Sequence, residues 1–204
     1  MEITVLAASG ATGLELTRQA LARGHTVIAV SRNPGRIPLP DSARLVRTAA
    51  DVLDPEGIAA ALRDREAIVS GLGVAKGDRP GVLTAGARAV AAARPGRIVW
   101  LGAFGTGPSA AAAGPLTRTL LRMLADRADK ETADAIIGEA GGTVFHAGPL
   151  ANGPAGPSRR TVALDAVPRR VFPARVSRAT VAAAMLDEAE NPAHAGAVAV
   201  PLQQ

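Results

Sequence analysis

The fold is decided by residues 3–33, which read ITVLAASGATGLELTRQALARGHTVIAVSRN. The short apolar run Ile3–Ala7 is typical of a buried strand. Residues 14–23 predict a helix that ends at Gly24, and Thr26–Val30 predicts a second buried strand. Two strands that flank a helix within about thirty residues form a βαβ unit, which belongs to a parallel sheet.

The alternation of strand and helix patterns continues along the rest of the chain. Further strands are predicted at residues 43–48, 66–72, 97–102, 142–147, 161–164, 170–172 and 196–200. Further helices are predicted at residues 54–63, 82–93, 116–138 and 178–190, the third with a break near 128–129. We therefore predict one α/β domain over residues 1–204, a single Rossmann-like, doubly wound parallel sheet with a small carboxyl-terminal addition.

The composition excludes several kinds of site. The 204 residues include no Cys and no Tyr, which excludes disulfides, zinc–thiolate sites, a thiol nucleophile and a phenol as proton donor. The net charge is +5, but the arginines are scattered and not interleaved with aromatic residues, so we expect no nucleic-acid partner. No metal-ligand spacing, membrane-length apolar run or signal peptide is seen. We expect a cytoplasmic protein, a monomer or a homodimer, that acts on a small molecule.

The turn after the first strand, residues 7–13, reads AASGATG. Small residues at such a turn let the backbone approach a diphosphate at the amino terminus of the next helix. Gly10 and Gly13 occupy the second and third glycine places of the dinucleotide fingerprint, and Ala7 stands at the first. We expect a dinucleotide to contact Ala7, Ser9, Gly10, Ala11, Thr12 and Gly13.

The ends of the next strands predict the rest of the dinucleotide site. Arg32 and Arg36 stand where an acidic residue would bind the ribose of NAD, and a guanidinium suits a 2′-phosphate, so NADP(H) is favoured. The alternative for Arg32 is a solvated surface arginine. Asp51 and Val52 are expected beside the adenine, although Asp51 suits a helix cap as well. Near the ribose and diphosphate we expect Gly71, Leu72 and Gly73, which otherwise only end the strand.

These segments, residues 7–13, 30–32, 51–52 and 71–73, resemble the atypical short-chain dehydrogenases/reductases with an NAD(P)H-binding domain. The resemblance covers nearly the whole chain and is strongest to the NmrA-like proteins and to the biliverdin reductase B/flavin reductase type. It implies a Rossmann fold, NADP(H) and a small planar or carbonyl substrate. It also implies that Gly148, Pro149 and Leu150 line the nicotinamide, with substrate loops near 103–116 and 148–175.

The places of the family's proton donors are occupied by other residues. Asp126 stands where the family has a Tyr, four residues before Lys130. Gly102 replaces a Ser at the end of the fifth strand, and Leu150 replaces a His. Gly102 and Lys130 remain expected cofactor contacts. Lys130 and His146 are the candidates for catalysis, although His146 also suits a structural role. No Ser-His-Asp set is evident from the spacing.

The sequence therefore predicts an NADPH-dependent oxidoreductase that positions the nicotinamide for hydride transfer. The acceptors that fit best are flavins, quinones, linear tetrapyrroles and activated enones, because they need no dedicated protein acid. Two alternatives stay open. One is an NADP-binding sensor or regulator without turnover, and the other is a non-redox biosynthetic isomerase or cyclase on the same fold.

Overall fold

The computed structural model describes residues 1–75, 77–110, 126–168 and 174–203. The strands are β1 Glu2–Leu6, β2 Thr26–Ser31, β3 Leu45–Ala49, β4 Ala67–Ser70, β5 Arg97–Ala103, β6 Thr143–Ala147, β7 Leu150–Ala151, β8 Arg159–Ala163, β9 Val176–Ser177 and β10 Val198–Gln203. The helices are α1 Ala11–Ala22, α2 Pro55–Leu62, α3 Val82–Ala93, α4 Arg127–Glu139 and α5 Arg178–Glu190.

The main sheet has the strand order β3-β2-β1-β4-β5-β6-β10-β8. Its neighbours pair in parallel, except that β8 runs antiparallel to β10. The predicted doubly wound parallel sheet is confirmed, with the antiparallel strand β8 at its edge as the exception. The carboxyl-terminal addition extends this sheet through β10 and β8, while β7 and β9 pair separately. The strand order reverses between β1 and β4, and ligands of such sheets bind at that point, beyond the carboxyl ends of the strands.

Helices cover both faces of the sheet. Leu16 of α1 and Met185 of α5 pack in one apolar cluster with β1. Ile58 of α2 and Ile137 of α4 belong to the cluster on the opposite face. Because both faces are buried, the central strands are apolar along their length and show no alternation with polar residues. Among the described residues, no helix has the length and apolar character needed to cross a bilayer.

The predicted break near residues 128–129 lies close to the start of helix α4, whose N-cap is Asp126. Helix α4 begins at Arg127 and runs through these positions to Glu139. Asp129 accepts hydrogen bonds from the backbone N–H groups of Leu83 (3.1 Å) and Thr84 (2.9 Å), so its side chain caps α3 and leaves its own helix intact. Burial raises the pKa of Asp129, but the bonds from Thr84 and Leu83 outweigh it and hold the pKa below its ordinary value. Residues 116–125 and the predicted strand 170–172 lie outside the described residues.

The start of α1 packs against the ends of β1 and β4 without room for side chains. A Cβ atom on Gly13 would lie 2.1 Å from the carbonyl oxygen of Ala7. One on Gly71 would lie 2.9 Å from the backbone nitrogen of Gly13. Ala7 itself has a φ of +61°, a left-handed conformation that favours glycine, and its carbonyl accepts the Gly10 N–H at 2.9 Å. The third glycine of the fingerprint is therefore required by packing.

We expect Gly13→Ala to lower the free energy of unfolding by at least about 2 kcal/mol, because the added methyl group meets backbone atoms. The matched control is Gly138→Ala in α4, where a Cβ atom meets nothing within 4 Å. This control should raise stability by roughly 0.5–1 kcal/mol, since alanine favours a helix over glycine. Urea unfolding measures both values, and equal stability of the two variants would contradict the packing described here.

Candidate functional site

A cavity of about 520 Å³ lies beyond the carboxyl ends of the central strands. Its volume lies in the range of small-molecule and cofactor sites. It brings together the turn after β1, the end of β2, the residues after β3 and the end of β4. The predicted site residues that line it are Ala7, Ser9, Gly10, Ala11, Thr12, Arg32, Arg36, Asp51, Val52, Gly71, Leu72, Gly73 and Leu150.

Five predicted cofactor residues lie outside the lining of this cavity. Gly13 packs beneath the turn against Ala7, as described above. Gly148 and Pro149 precede β7, where the carbonyl of Pro149 accepts the Val176 N–H at 3.2 Å and joins β7 to β9. Gly102 and Lys130, which complete the five, have other neighbours that are described below.

Several lining residues were not predicted from the sequence: Leu6, Ser31, Ala50, Val74, Ala75, Asp78, Val82, Leu101 and Arg178. Most of them extend segments that were already recognised, so the rule that ligands bind at strand ends would have found them. Asp78 and Arg178 are different. Asp78 lies in the loop before α3, and Arg178 is the first residue of α5, far along the chain. No local sequence signal connects either residue to this cavity.

The amino terminus of α1 is open to a ligand. Among the described residues, no side chain caps this helix, and its first turn contains no acidic residue. Three other helices have starts that accept a side-chain cap, since Asp54 caps α2, Asp129 caps α3 and Ser177 caps α5. Helix α4 resembles α1, because the side chain of its N-cap residue makes no capping bond to the described residues. Uncapped N–H groups and the helix dipole together favour a bound anion. The first turn of α1 therefore fits a diphosphate.

The end of β2 forms a cationic part of the cavity. Arg32 and Arg36 both line it, and Arg32 Nη1 lies 2.7 Å from Asp78 Oδ1. The neighbouring Ser31 is buried, and its Oγ has no hydrogen-bond partner among the described residues. Asp51 lines the cavity as well. Asp51 accepts the Leu53 N–H at 3.0 Å in a local turn, and the helix cap is Asp54.

The places of the family's proton donors are filled by groups that have other partners. Lys130 forms an ion pair with Asp126 in the first turn of α4. Gly102 leaves room for two buried side chains, because a Cβ atom there would lie 2.8 Å from His146 Cδ2 and 3.0 Å from each carboxylate oxygen of Asp134. A serine at position 102 would meet the same atoms.

The spacing along the chain gave no sign of a Ser-His-Asp set, but the fold brings Ser109, His146 and Asp134 together. His146 Nδ1 lies 2.6 Å from Ser109 Oγ, and His146 Nε2 lies 3.1 Å from Asp134 Oδ2. Ser109 and His146 are completely buried, so neither group reaches a substrate as a nucleophile or an acid. Ser109 also accepts the Gly105 N–H at 2.7 Å. The chain of bonds anchors the loop after β5 to β6 and α4.

Among the described residues, no three His, Asp or Glu side chains lie close enough together to bind a metal ion.

Comparisons with known proteins agree with this geometry. A family model described as NAD(P)H-binding matches residues 7–192. No curated protein matches the chain in sequence. An anaerobillin reductase from Escherichia coli O157:H7 is 18% identical with a TM-score of 0.77, over 100% of this chain and 97% of that one. A short-chain dehydrogenase/reductase from Veillonella parvula in complex with NADP is 17% identical with a TM-score of 0.78, over 98% and 93%. A protein described as an NADH-flavin reductase, from Streptococcus pneumoniae, is 18% identical with a TM-score of 0.77, over 100% of both chains.

Identities this low show a shared fold and nothing more. The fold and the cavity define a Rossmann protein of the dinucleotide-binding class, as the resemblance seen in the sequence implies. The match over residues 7–192 carries the assignment further: the chain belongs to the NAD(P)H-binding family.

The crowding at Gly102 generates a prediction about stability. Gly102→Ala should cost about 1–3 kcal/mol, because the methyl group must displace His146 or Asp134. In a His146→Ala background the cost should fall by about 1 kcal/mol or more, since the contacting ring is gone. The control is Gly73→Ala, where a Cβ atom meets nothing within 4 Å. A double-mutant cycle from denaturant unfolding measures the coupling, and an additive result would mean that position 102 does not depend on His146.

Proposed function

We propose that the protein is an NADP(H)-dependent oxidoreductase that reduces a small planar acceptor. The observation that carries this proposal is the pair of arginines, Arg32 and Arg36, that lines the cavity at the end of β2. An acidic residue at this place selects NAD, whereas a guanidinium suits the additional phosphate of NADP. The buried hydroxyl of Ser31, which has no partner in the described part of the chain, suits a phosphate oxygen too.

The remaining lining fits the other parts of the dinucleotide. The uncapped start of α1 would hold the diphosphate, and Gly71 would let the backbone approach it closely. Asp51 and Val52 would lie beside the adenine. Leu101 and Leu150 give the far end of the cavity an apolar surface that excludes water from a reacting ring. The nicotinamide, when bound, supplies the hydride, and the protein contributes its position against the acceptor.

The acceptors that fit best are those whose reduction needs no proton donor from the protein. Lys130 is paired with Asp126 and His146 is buried, so neither of the two candidates for catalysis is placed to donate a proton in the cavity. A flavin, a quinone, a linear tetrapyrrole or an activated enone can take its proton from water after hydride transfer. Two of the structural neighbours, an anaerobillin reductase and a protein described as an NADH-flavin reductase, favour the same classes. The description of the second neighbour names NADH, so NADH is the alternative to NADPH as the cofactor.

The positions of Lys130 and His146 also favour a second function, in which NADP(H) is bound but not oxidised or reduced. A family member whose Lys130 is paired with Asp126 and whose His146 is buried can bind NADP(H) as a signal without turnover. The discriminating measurement is NADPH oxidation with a panel of flavins, quinones, tetrapyrroles and enones. Tight NADPH binding without oxidation in any of these assays would favour the sensor.

The proposal predicts that NADPH binds more tightly than NADH and that Arg32 carries the difference. Arg32→Ala should weaken NADPH binding by about 10- to 100-fold, since a charge-assisted hydrogen bond contributes roughly 1.5–3 kcal/mol. NADH binding should stay nearly unchanged. The control is Arg18→Ala, which removes an exposed arginine from the outer side of α1. Calorimetric titration that gives equal affinities for both cofactors in the wild type would contradict the NADP assignment.

The proposal also predicts that activity survives the loss of either candidate acid. Lys130→Ala and His146→Ala should each retain kcat/KM within about a hundredfold of the wild type, when rates are scaled to the folded fraction. A dedicated general acid contributes roughly 10²–10⁴-fold. A loss above about a thousandfold with NADPH affinity intact would identify a protein acid and overturn the assignment of the proton to water.

A further inference from the structure

The carboxylate of Asp78 enters the cationic end of the cavity from the loop that joins β4 to α3. Its Oδ1 lies 2.7 Å from Arg32 Nη1, and both residues line the cavity. The two residues are 46 positions apart in the chain. The carboxylate of Asp78 is therefore already paired with the guanidinium of Arg32, to which the 2′-phosphate of the proposed NADP(H) would bind.

Asp78 is fixed by its own loop, whereas Arg32 is open. The Ala75 N–H donates to Asp78 Oδ2 at 2.7 Å, and the Asp78 N–H donates to the carbonyl of Ala75 at 3.0 Å. The side chain of Asp78 is 7% exposed and that of Arg32 is 57% exposed. The hydrogen bond from Ala75, followed by that from Arg32, holds the pKa of Asp78 below its ordinary value, so the carboxylate is ionised at neutral pH.

We propose that Asp78 is a specificity-determining residue, which competes with the 2′-phosphate of NADP(H) for the guanidinium of Arg32. This inference rests on the proposed function, because it requires a dinucleotide in this cavity. A phosphate that approaches Arg32 must break the ion pair, and it meets a negative charge at short range if Asp78 stays. NADH carries no phosphate at this position and leaves the pair intact. Asp78 therefore lowers the preference for NADPH that Arg32 would otherwise give.

The ion pair between Arg32 and Asp78 contributes little to the stability of the fold. Arg32 is more than half exposed, so water and salt screen its ion pair with Asp78. The turn between Ala75 and Asp78 requires only a hydrogen-bond acceptor at position 78, because that side chain accepts the backbone N–H of Ala75. A negative charge is not required for this bond. An asparagine retains the acceptor and the shape and removes the charge.

The test compares NADPH and NADH affinities of the full chain by calorimetry. Asp78→Asn should tighten NADPH binding by roughly threefold to tenfold and change NADH binding by less than about twofold. The gain should shrink as salt is added, because salt screens charges near the surface. In an Arg32→Ala background the gain from Asp78→Asn should disappear. The matched control is Asp41→Asn, which neutralises an aspartate paired with Arg47 at 2.6 Å away from the cavity lining.

The outcomes separate this inference from the proposed function. If Arg32→Ala weakens NADPH binding but Asp78→Asn leaves it unchanged or weaker, the Asp78 inference is wrong and the proposed NADP site stands. If Arg32→Ala has no effect on NADPH, or NADPH does not bind, both are wrong. Asp78→Ser is the second variant, since its hydroxyl also accepts from Ala75. Failure of both variants to fold would show that the charge is structural and would overturn the inference.

Discussion

The approach of α1 to the ends of β1 and β4 is the constraint on which the cavity depends. Only hydrogen atoms fit at Gly13 and Gly71, where the backbone of the helix meets the backbone of the strands. This contact brings the uncapped start of α1 to the point where the strand order reverses. A favourable place for an anion therefore results from packing, before any side chain of the site is considered.

Local sequence patterns were sufficient for most of the fold. The limits of α3 and α5 agree with the predicted residues 82–93 and 178–190. Helix α3 has an apolar face, and α5 is buried along most of its length behind the cap residue Ser177. The thirteen predicted residues that line the cavity follow strands or open a helix, and the rule for parallel sheets places such residues together. The break predicted near 128–129 lies close to Arg127, where α4 begins, whereas no local pattern predicted that Asp129 caps another helix.

What the sequence did not predict depends on contacts between distant segments. The bonds between Ser109, His146 and Asp134 join a loop, a strand and a helix, and each residue alone suits an ordinary structural role. The pair of Arg32 and Asp78 joins two loops in the same way. Spacing along a chain gives no measure of such distances unless a regular element connects the residues. Both contacts are polar, but the first anchors the loop after β5, whereas the second lies in the cavity.

The position of β10 between β6 and β8 has a consequence for how the chain reaches this structure. β8 is synthesised before β10 but takes its sheet hydrogen bonds from it, in a register that pairs Val162 with Val200. Until residues 198–203 have emerged, β6 presents an open parallel edge and β8 has no strand to join. Open edges pair readily with other chains. A chain in which β10 has not yet formed is therefore more open to pairing with other chains than the completed sheet.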